Sequence, residues 1–291
     1  MFAILAFTTV ALVQAGAPSL ESLFGQISRA AQGKVGVSVM LLETGETASL
    51  NPGERYPMQS VYKLPIGMAV LQRIDLKQLT LDQRVTVRPS DFVSPGQYSP
   101  IRDRFPKGTD LTVSELLELT LSQSDGTGSD VLLRLAGGPD GVMAFLQSIG
   151  VSEVQVVTTE KAMGLGDNSV QYRNWATPRG MLGLLVAVHR GSGLTPESQA
   201  HLLQWMTQVT RGEGRIKGKL PAGTIAARRT GSSGTIGGVT AATNDTGIVT
   251  LPDGRHMAVV VFVSDSRAND ATRERVIAEI ARAAWDHWTL R

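Results

Sequence analysis

Ser60-Val61-Tyr62-Lys63 sets a hydroxyl and an amine one helical turn apart. At a helix N-terminus the amine reaches the hydroxyl and the helix dipole favours an anion developing there, which is the arrangement of an activated oxygen nucleophile. With 22 Ser and 7 Lys in 291 residues, chance gives roughly half an S-x-x-K per chain of this composition, and a serine at a helix start is also an ordinary N-cap. This is, however, the chain's one S-x-x-K. Two further elements follow it in order: Ser124-Asp125-Gly126 at the end of a helical run, and Arg229-Thr230-Gly231 on a predicted strand.

Composition narrows the chemistry further. The chain is 42% hydrophobic and 19% charged, which places it among folded proteins rather than disordered ones. Its 28 positive and 26 negative residues are spread along the chain, so no basic face for nucleic acid or an anionic membrane is expected. The absence of Cys removes disulfides, thiolate zinc, iron–sulfur clusters and thiol catalysis. The four histidines, at 189, 201, 256 and 287, lack a metal-ligand spacing such as H-E-x-x-H, and there is no P-loop or strand-borne G-x-G-x-x-G. Neither metal nor cofactor is expected.

The elements that must position these residues show a change of character along the chain. Residues 1–17, MFAILAFTTVALVQAGA, form an apolar run too short to span a bilayer and end in small residues; they read as a secretory signal, although no Lys or Arg precedes them. A helix is predicted at 19–32 and strands at 35–43 and 47–50, joined at Thr44-Gly45. From about Ser60 to Met206 the signals are almost all helical, including 177–191 with Thr177 as N-cap and Pro178 at the first helical position. Strands return at 224–231, 236–250 and 256–264, before a helix from about Asp270 to Trp288. The expectation is an α+β fold, with an antiparallel sheet built from both chain ends and an all-helical subdomain inserted between. The boundaries implied are 18–54 with 209–291 for the sheet part and 55–208 for the helical part.

S-x-x-K, S-D-x and R-T-G in this order resemble the signature of the class A serine β-lactamases, and the resemblance runs over essentially the whole chain after residue 17. It includes Gly137-Gly138-Pro139, Leu220-Pro221-Ala222-Gly223, Asn244-Asp245 and Leu251-Pro252-Asp253-Gly254. Gln59 before the nucleophile, Asp130 where most relatives carry Asn, and Val170-Gln171-Tyr172-Arg173-Asn174-Trp175 make it most similar to the PER and VEB type of extended-spectrum enzyme. The resemblance implies a three-layer α/β/α sandwich and an exported, monomeric hydrolase of the β-lactam ring. Ser60 would be the nucleophile, Lys63 its proton partner, Ser124 the relay to the lactam nitrogen and Glu160 the base for the hydrolytic water. The N–H groups of Ser60 and Ser232 would form an oxyanion hole. Arg229, Thr230, Gly231 and Ser232 would meet the substrate carboxylate, with Tyr98 walling the entrance and Gly126 in the pocket. The second arginine found elsewhere in some relatives falls on Arg215, which is expected to enter the site beside Arg229. A penicillin-binding D,D-peptidase and a non-hydrolytic β-lactam sensor share part of this pattern; Glu160 argues against the first and the lack of a spanning segment against the second.

Departures from the family pattern carry their own expectations. Gly126 stands for the usual Asn of S-D-N and is expected to loosen the pocket. Arg229 stands for Lys and keeps the charge with a broader donor. Gly164 lies where Asn usually helps hold the water. The usual Arg–Asp clasp of the omega loop is the neutral pair Thr158 and Asn174, which suggests a rearranged loop held by other contacts, among them Asp130, a residue as open to a catalytic role as to that anchoring one.

Overall fold

The computed structural model describes residues 18–290, and the apolar run at 1–17 lies outside the described residues. The chain begins with α1 (Leu20–Ser28), β1 (Lys34–Leu41) and β2 (Thr47–Leu50), with Gly45 at φ 77° making the turn at Thr44-Gly45. The middle contains β3 (Tyr56–Pro57), α2 (Lys63–Asp75), β4 (Arg84–Val87), α3 (Pro100–Arg104), β5 (Thr109–Thr112), α4 (Val113–Leu121), α5 (Gly126–Leu135), α6 (Gly138–Ser148), β6 (Val154–Gln155), α7 (Glu160–Met163), β7 (Trp175–Ala176), α8 (Pro178–Arg190) and α9 (Pro196–Thr207). The chain closes with β8 (Ala226–Ser232), β9 (Thr235–Ile236), β10 (Val239–Thr240), β11 (Thr243–Thr250), β12 (His256–Ser264) and α10 (Asp270–Thr289). Among the described residues no helix is long and apolar enough to cross a membrane.

The two ends of the chain meet in one sheet of order β2-β1-β12-β11-β8, antiparallel throughout, with Val37 opposite Val261 and Asp245 opposite both Val261 and Thr230. Alternation of side chains along each strand sends successive residues to opposite faces. On β12, Met257, Val259, Val261 and Val263 pack with α1 and α10 through Phe24, Ile277, Ile280 and Trp285. Ala258, Val260 and Phe262 face the other way, into the core built by α2, α4, α5, α8 and α9. The central strand is therefore buried on both faces and reads as an unbroken apolar run, in a three-layer α/β/α sandwich.

Local signals act as the sequence implies at several helix starts. Thr177 accepts from Gly180 N at 2.9 Å with Pro178 following, and Thr112 with Glu115 closes a capping box on α4. Two expectations are corrected. The segment 236–250 is not one strand, because Gly237 at φ 57° and Gly238 at φ 74° turn the chain between β9 and β10 before β11 begins. The middle is less uniformly helical than expected. β3, β7 and β6 form a small sheet, and β4 pairs with β5.

Candidate active site

The tertiary fold holds the nucleophile segment from three sides. Met58 N donates to Asn174 O at 2.9 Å, and Asn244 Nδ2 on β11 donates to the carbonyls of Pro57 at 2.8 Å and Met58 at 3.2 Å. β8 comes so close that a Cβ at Gly231 would lie 2.3 Å from Met58 O. Gln59 then takes φ 48°, and Ser60 sits on a 3-10 turn, Gln59–Tyr62, ahead of α2. The expected helix N-terminus is thus corrected by one turn: the α-helix itself starts at Lys63. Ser124, between α4 and α5, has φ 68°, so two non-glycine residues at the cleft hold the left-handed conformation.

Lys63 is the centre of the site. Its Nζ, almost fully buried, lies 3.1 Å from Ser60 Oγ, 2.9 Å from Ser124 O, 3.3 Å from Ser124 Oγ and 3.4 Å from Glu160 Oε2. Burial pushes its ammonium pKa down, and the Arg229 charge acts the same way against the opposing pull of Glu160 and Asp125. Such an amine gives up its proton more readily than a solvated lysine and can serve a hydroxyl within hydrogen-bond reach. Glu160 is brought to it by α7, whose N-cap Thr159 accepts from Ala162 N at 3.0 Å.

Arg229 is placed differently from the expectation. It is wholly buried, with Nε on Ser60 O at 3.0 Å, Nη1 on Leu121 O at 2.9 Å and Nη2 on Ser124 Oγ at 2.7 Å. Each of its three nitrogens is thus engaged behind the cleft, and burial brings its pKa down only to about 10, so the charge persists at neutral pH. Of the residues expected at the substrate carboxylate, Thr230, Ser232 and Arg215 do line the cleft. Arg215 is 7% exposed and donates from Nη2 to Ser232 Oγ at 2.7 Å, from Nη1 to the carbonyls of Asn244 at 2.9 Å and Gly231 at 3.2 Å, and from Nε to Glu274 at 3.1 Å. Arg215 was expected at the cleft from the sequence; the place of Arg229 behind it was not.

The cleft has a volume of about 580 Å³ and is also lined by Ser60, Lys63, Ser124 and Glu160. Tyr98 stands at its mouth, 49% exposed, with the Arg211 guanidinium 4.2 Å above its ring. Gly126 and Gly231 are packing positions and do not line the cleft. A Cβ at Gly126 would meet Glu160 Cγ at 2.9 Å and Tyr98 O at 3.1 Å, so its missing side chain admits the base rather than loosening the pocket. A larger groove of about 780 Å³ lies across α1 and α10, and its one serine, Ser19, caps α1 by accepting from Ser22 N.

The segment carrying Glu160 is held by neutral and one-sided contacts. Asn174, fully buried, accepts from Val157 N at 2.8 Å and Thr158 N at 3.0 Å and donates to Thr158 O at 2.9 Å. Asp130 accepts from Glu160 N at 2.7 Å and Lys161 N at 2.9 Å. Burial raises the Asp130 pKa to about 6 against those two bonds. Gln97 fills the space beside Gly164, where a Cβ would lie 2.1 Å from its Oε1, and its amide donates to Glu160 O. Gln59 Nε2 reaches Gln171 Oε1 at 2.6 Å across the cleft. Anchoring of the loop by Asp130 was one of two roles the sequence left open for it; the contact of Gln97 was not expected.

One polar group away from the cleft gathers histidines that spacing did not connect. Ligand atoms of Glu43, His189 and His256 lie within 4.8 Å of one another, but Glu43 already accepts from His256 N and pairs with its Nδ1 at 2.8 Å. The cleft holds no comparable cluster of ligands, and its own chemistry is that of oxygen and amine.

A serine hydroxyl flanked by a buried lysine, a second serine and a carboxylate, beside an α/β/α sandwich, is an arrangement able to activate an oxygen nucleophile. The profile of the beta-lactamase enzyme family matches residues 19–288. The extended-spectrum β-lactamase PER-1 of Pseudomonas aeruginosa is 40% identical over 273 residues, covering 93% of this chain and 88% of that protein. The β-lactamase VEB-1 of the same organism is 36% identical over 284 residues, with 97% and 94% covered. A crystal structure of a β-lactamase from Chitinophaga pinensis superposes with a TM-score of 0.90 at 44% identity, covering 93% of this chain and 99% of that one. The chain therefore belongs to the beta-lactamase enzyme family, within its class A group.

Proposed function

We propose that this protein hydrolyses the β-lactam ring of penicillins and cephalosporins through an acyl-enzyme on Ser60, and so confers resistance to them. The observation that carries the reading is the reach of Lys63 Nζ, which lies within 3.4 Å of Ser60 Oγ, Ser124 Oγ and Glu160 Oε2 at once. Lys63 takes the proton of Ser60 as Oγ bonds to the lactam carbonyl carbon. The oxyanion is met by the N–H groups of Ser60 and Ser232. As the C–N bond breaks, Ser124 passes a proton to the departing nitrogen and is reprotonated from Lys63, while Arg229 on its Oγ stabilises the transient charge. The product of this half is an ester at Ser60 with an opened ring. Glu160 then takes a proton from water, the hydroxide adds to the ester carbonyl, and Ser60 leaves with the proton returned to it.

Arg215, Thr230 and Ser232 line the cleft on the β8 side and hold the substrate carboxylate, with Arg229 supplying charge from behind. Tyr98 borders the opposite lip. The relatives named extended-spectrum enzymes extend the proposal to cephalosporins with bulky side chains. The apolar run at 1–17 supports export, with the folded enzyme acting as a soluble monomer in the periplasm.

The deciding experiment is steady-state turnover of a chromogenic cephalosporin. Many turnovers per molecule, together with measurable hydrolysis of an oxyimino-cephalosporin, are expected. Consumption of one equivalent only would overturn the reading in favour of a peptidase or sensor that traps the acyl form.

A further inference from the structure

Two residues separate Ser60 from Lys63, and both are fully buried, yet only one of them is apolar. Val61 belongs wholly to the core. Tyr62 has its ring in the same core but carries a hydroxyl, which costs free energy in an apolar site unless it is hydrogen-bonded. The hydroxyl donates to Glu160 Oε2 at 2.8 Å and lies 3.4 Å from Ser129 Oγ, which donates to it. Lys63 Nζ is 3.4 Å from the same carboxylate oxygen. A phenol and an ammonium thus converge on Oε2, and no side chain among the described residues donates to Oε1. Glu160 is otherwise carried by a helix of four residues, α7.

We propose that Tyr62 is a positioning residue for the hydrolytic step. Its O–H fixes Oε2 of Glu160 beside Lys63 and leaves Oε1 facing the cleft, where the hydrolytic water is to be deprotonated. Neither Gly126 nor Gly164 offers a side-chain donor to this carboxylate. The space over Gly126 is taken by Glu160 Cγ and Tyr98 O, and that over Gly164 by Gln97. Burial, reinforced by the charges of Glu160 and Asp130, drives the phenol pKa well up, so the group remains a neutral donor across the working pH range. A phenylalanine would fill the same volume and leave the carboxylate held by Lys63 alone.

The inference rests on Glu160 being the base for the water, and the test separates the two. Tyr62→Phe keeps the ring and removes one oxygen. Losing a hydrogen bond to a charged acceptor is expected to slow deacylation by about ten- to a hundred-fold. Deacylation then limits turnover, so kcat and KM fall together while kcat/KM, which reports acylation, is held. Intact-protein mass spectrometry during turnover of a penicillin is expected to show the acyl-enzyme in the variant. A structural role alone would instead lower the melting temperature and leave the ratio of acylation to deacylation in place. Glu160→Gln serves as the reference. Should it fail to accumulate the acyl-enzyme, the assignment of the base is wrong. Should it accumulate while Tyr62→Phe shows wild-type kcat and KM, the base stands and the role of Tyr62 is overturned. A loss of kcat/KM at unchanged KM in Tyr62→Phe also overturns it, because the hydroxyl would then serve acylation.

Discussion

Removing Arg215 tests how the substrate carboxylate is bound. The guanidinium is 7% exposed and aims one nitrogen at Ser232 Oγ, 2.7 Å away, while the rest of its fork is tied to Gly231 O, Asn244 O and Glu274. Arg229, the charge that sequence order puts first, has each of its three nitrogens engaged, with Ser60 O, Leu121 O and Ser124 Oγ. Arg215→Ala therefore withdraws the guanidinium that borders the cleft beside Ser232, while that of Arg211 stays over Tyr98. A hydrogen bond to a charged group is worth about 1.5–3 kcal/mol, which corresponds to roughly ten- to a hundred-fold in kcat/KM. Because the carboxylate is gripped equally before and during reaction, the loss is expected in KM with kcat largely held. The same change takes a donor from two strand carbonyls and the partner from Glu274, so part of the effect is on stability. Thermal unfolding measures that part separately. Arg215→Lys divides the two contributions: an ammonium keeps the charge at the cleft but cannot span the fork, so it restores KM further than it restores the melting temperature. Steady-state kinetics on a penicillin is the assay. Wild-type KM and kcat/KM in a folded Arg215→Ala protein would refute the argument and leave the carboxylate to Thr230, Ser232 and the charge of Arg229.

Three further outcomes are expected. Ser60→Ala abolishes covalent labelling by penicillin and leaves the melting temperature near wild type, since it removes one half-buried oxygen; a persisting adduct by mass spectrometry would exclude Ser60 as nucleophile. Asn174→Ala leaves the N–H groups of Val157 and Thr158 and the carbonyl of Thr158 without that partner, at about 1–3 kcal/mol for each group left unsatisfied, and limited proteolysis is expected to cut between 158 and 174 in the variant. Asp130 has its pKa raised in the fold from 3.8 to about 6, so its contribution to stability is greatest when it is protonated and declines as pH rises through that window. Relative to Asp130→Asn, the wild type is expected to lose denaturant midpoint between those pH values, and parallel profiles would show that Asp130 does not titrate there.

What the sequence determined by itself was local or periodic. Lys63 had to come within reach of Ser60 because they are three residues apart on a helical turn, and Thr177 with Pro178 had to start a helix because an oxygen cap and a missing N–H suit its first turn. The apolar run of β12, flanked by strands at both chain ends, implied a sheet closed by the termini, and the order of S-x-x-K, S-D-x and R-T-G implied the family. Tertiary structure alone decided which polar groups converge. Tyr62 reads in sequence as one more core aromatic, and only the packing of α7 onto α5 sets its hydroxyl against a carboxylate 98 residues away. Arg229 and Arg215 are both plausible cleft residues by order, but the contacts of β8 turn the first inward behind Ser124, while bonds to Ser232, Asn244 O and Glu274 hold the second, ahead of the turn Ile216–Lys219, at the surface of the cleft. Gly126 and Gly164 read as losses until neighbouring atoms occupy their space. The two-residue strands β3, β6 and β7 are too short to have a period at all. In each case the deciding quantity is a contact between residues distant in the chain. Such contacts are fixed by strand register and by the need of each buried polar atom for a partner, neither of which a local pattern of residue types contains.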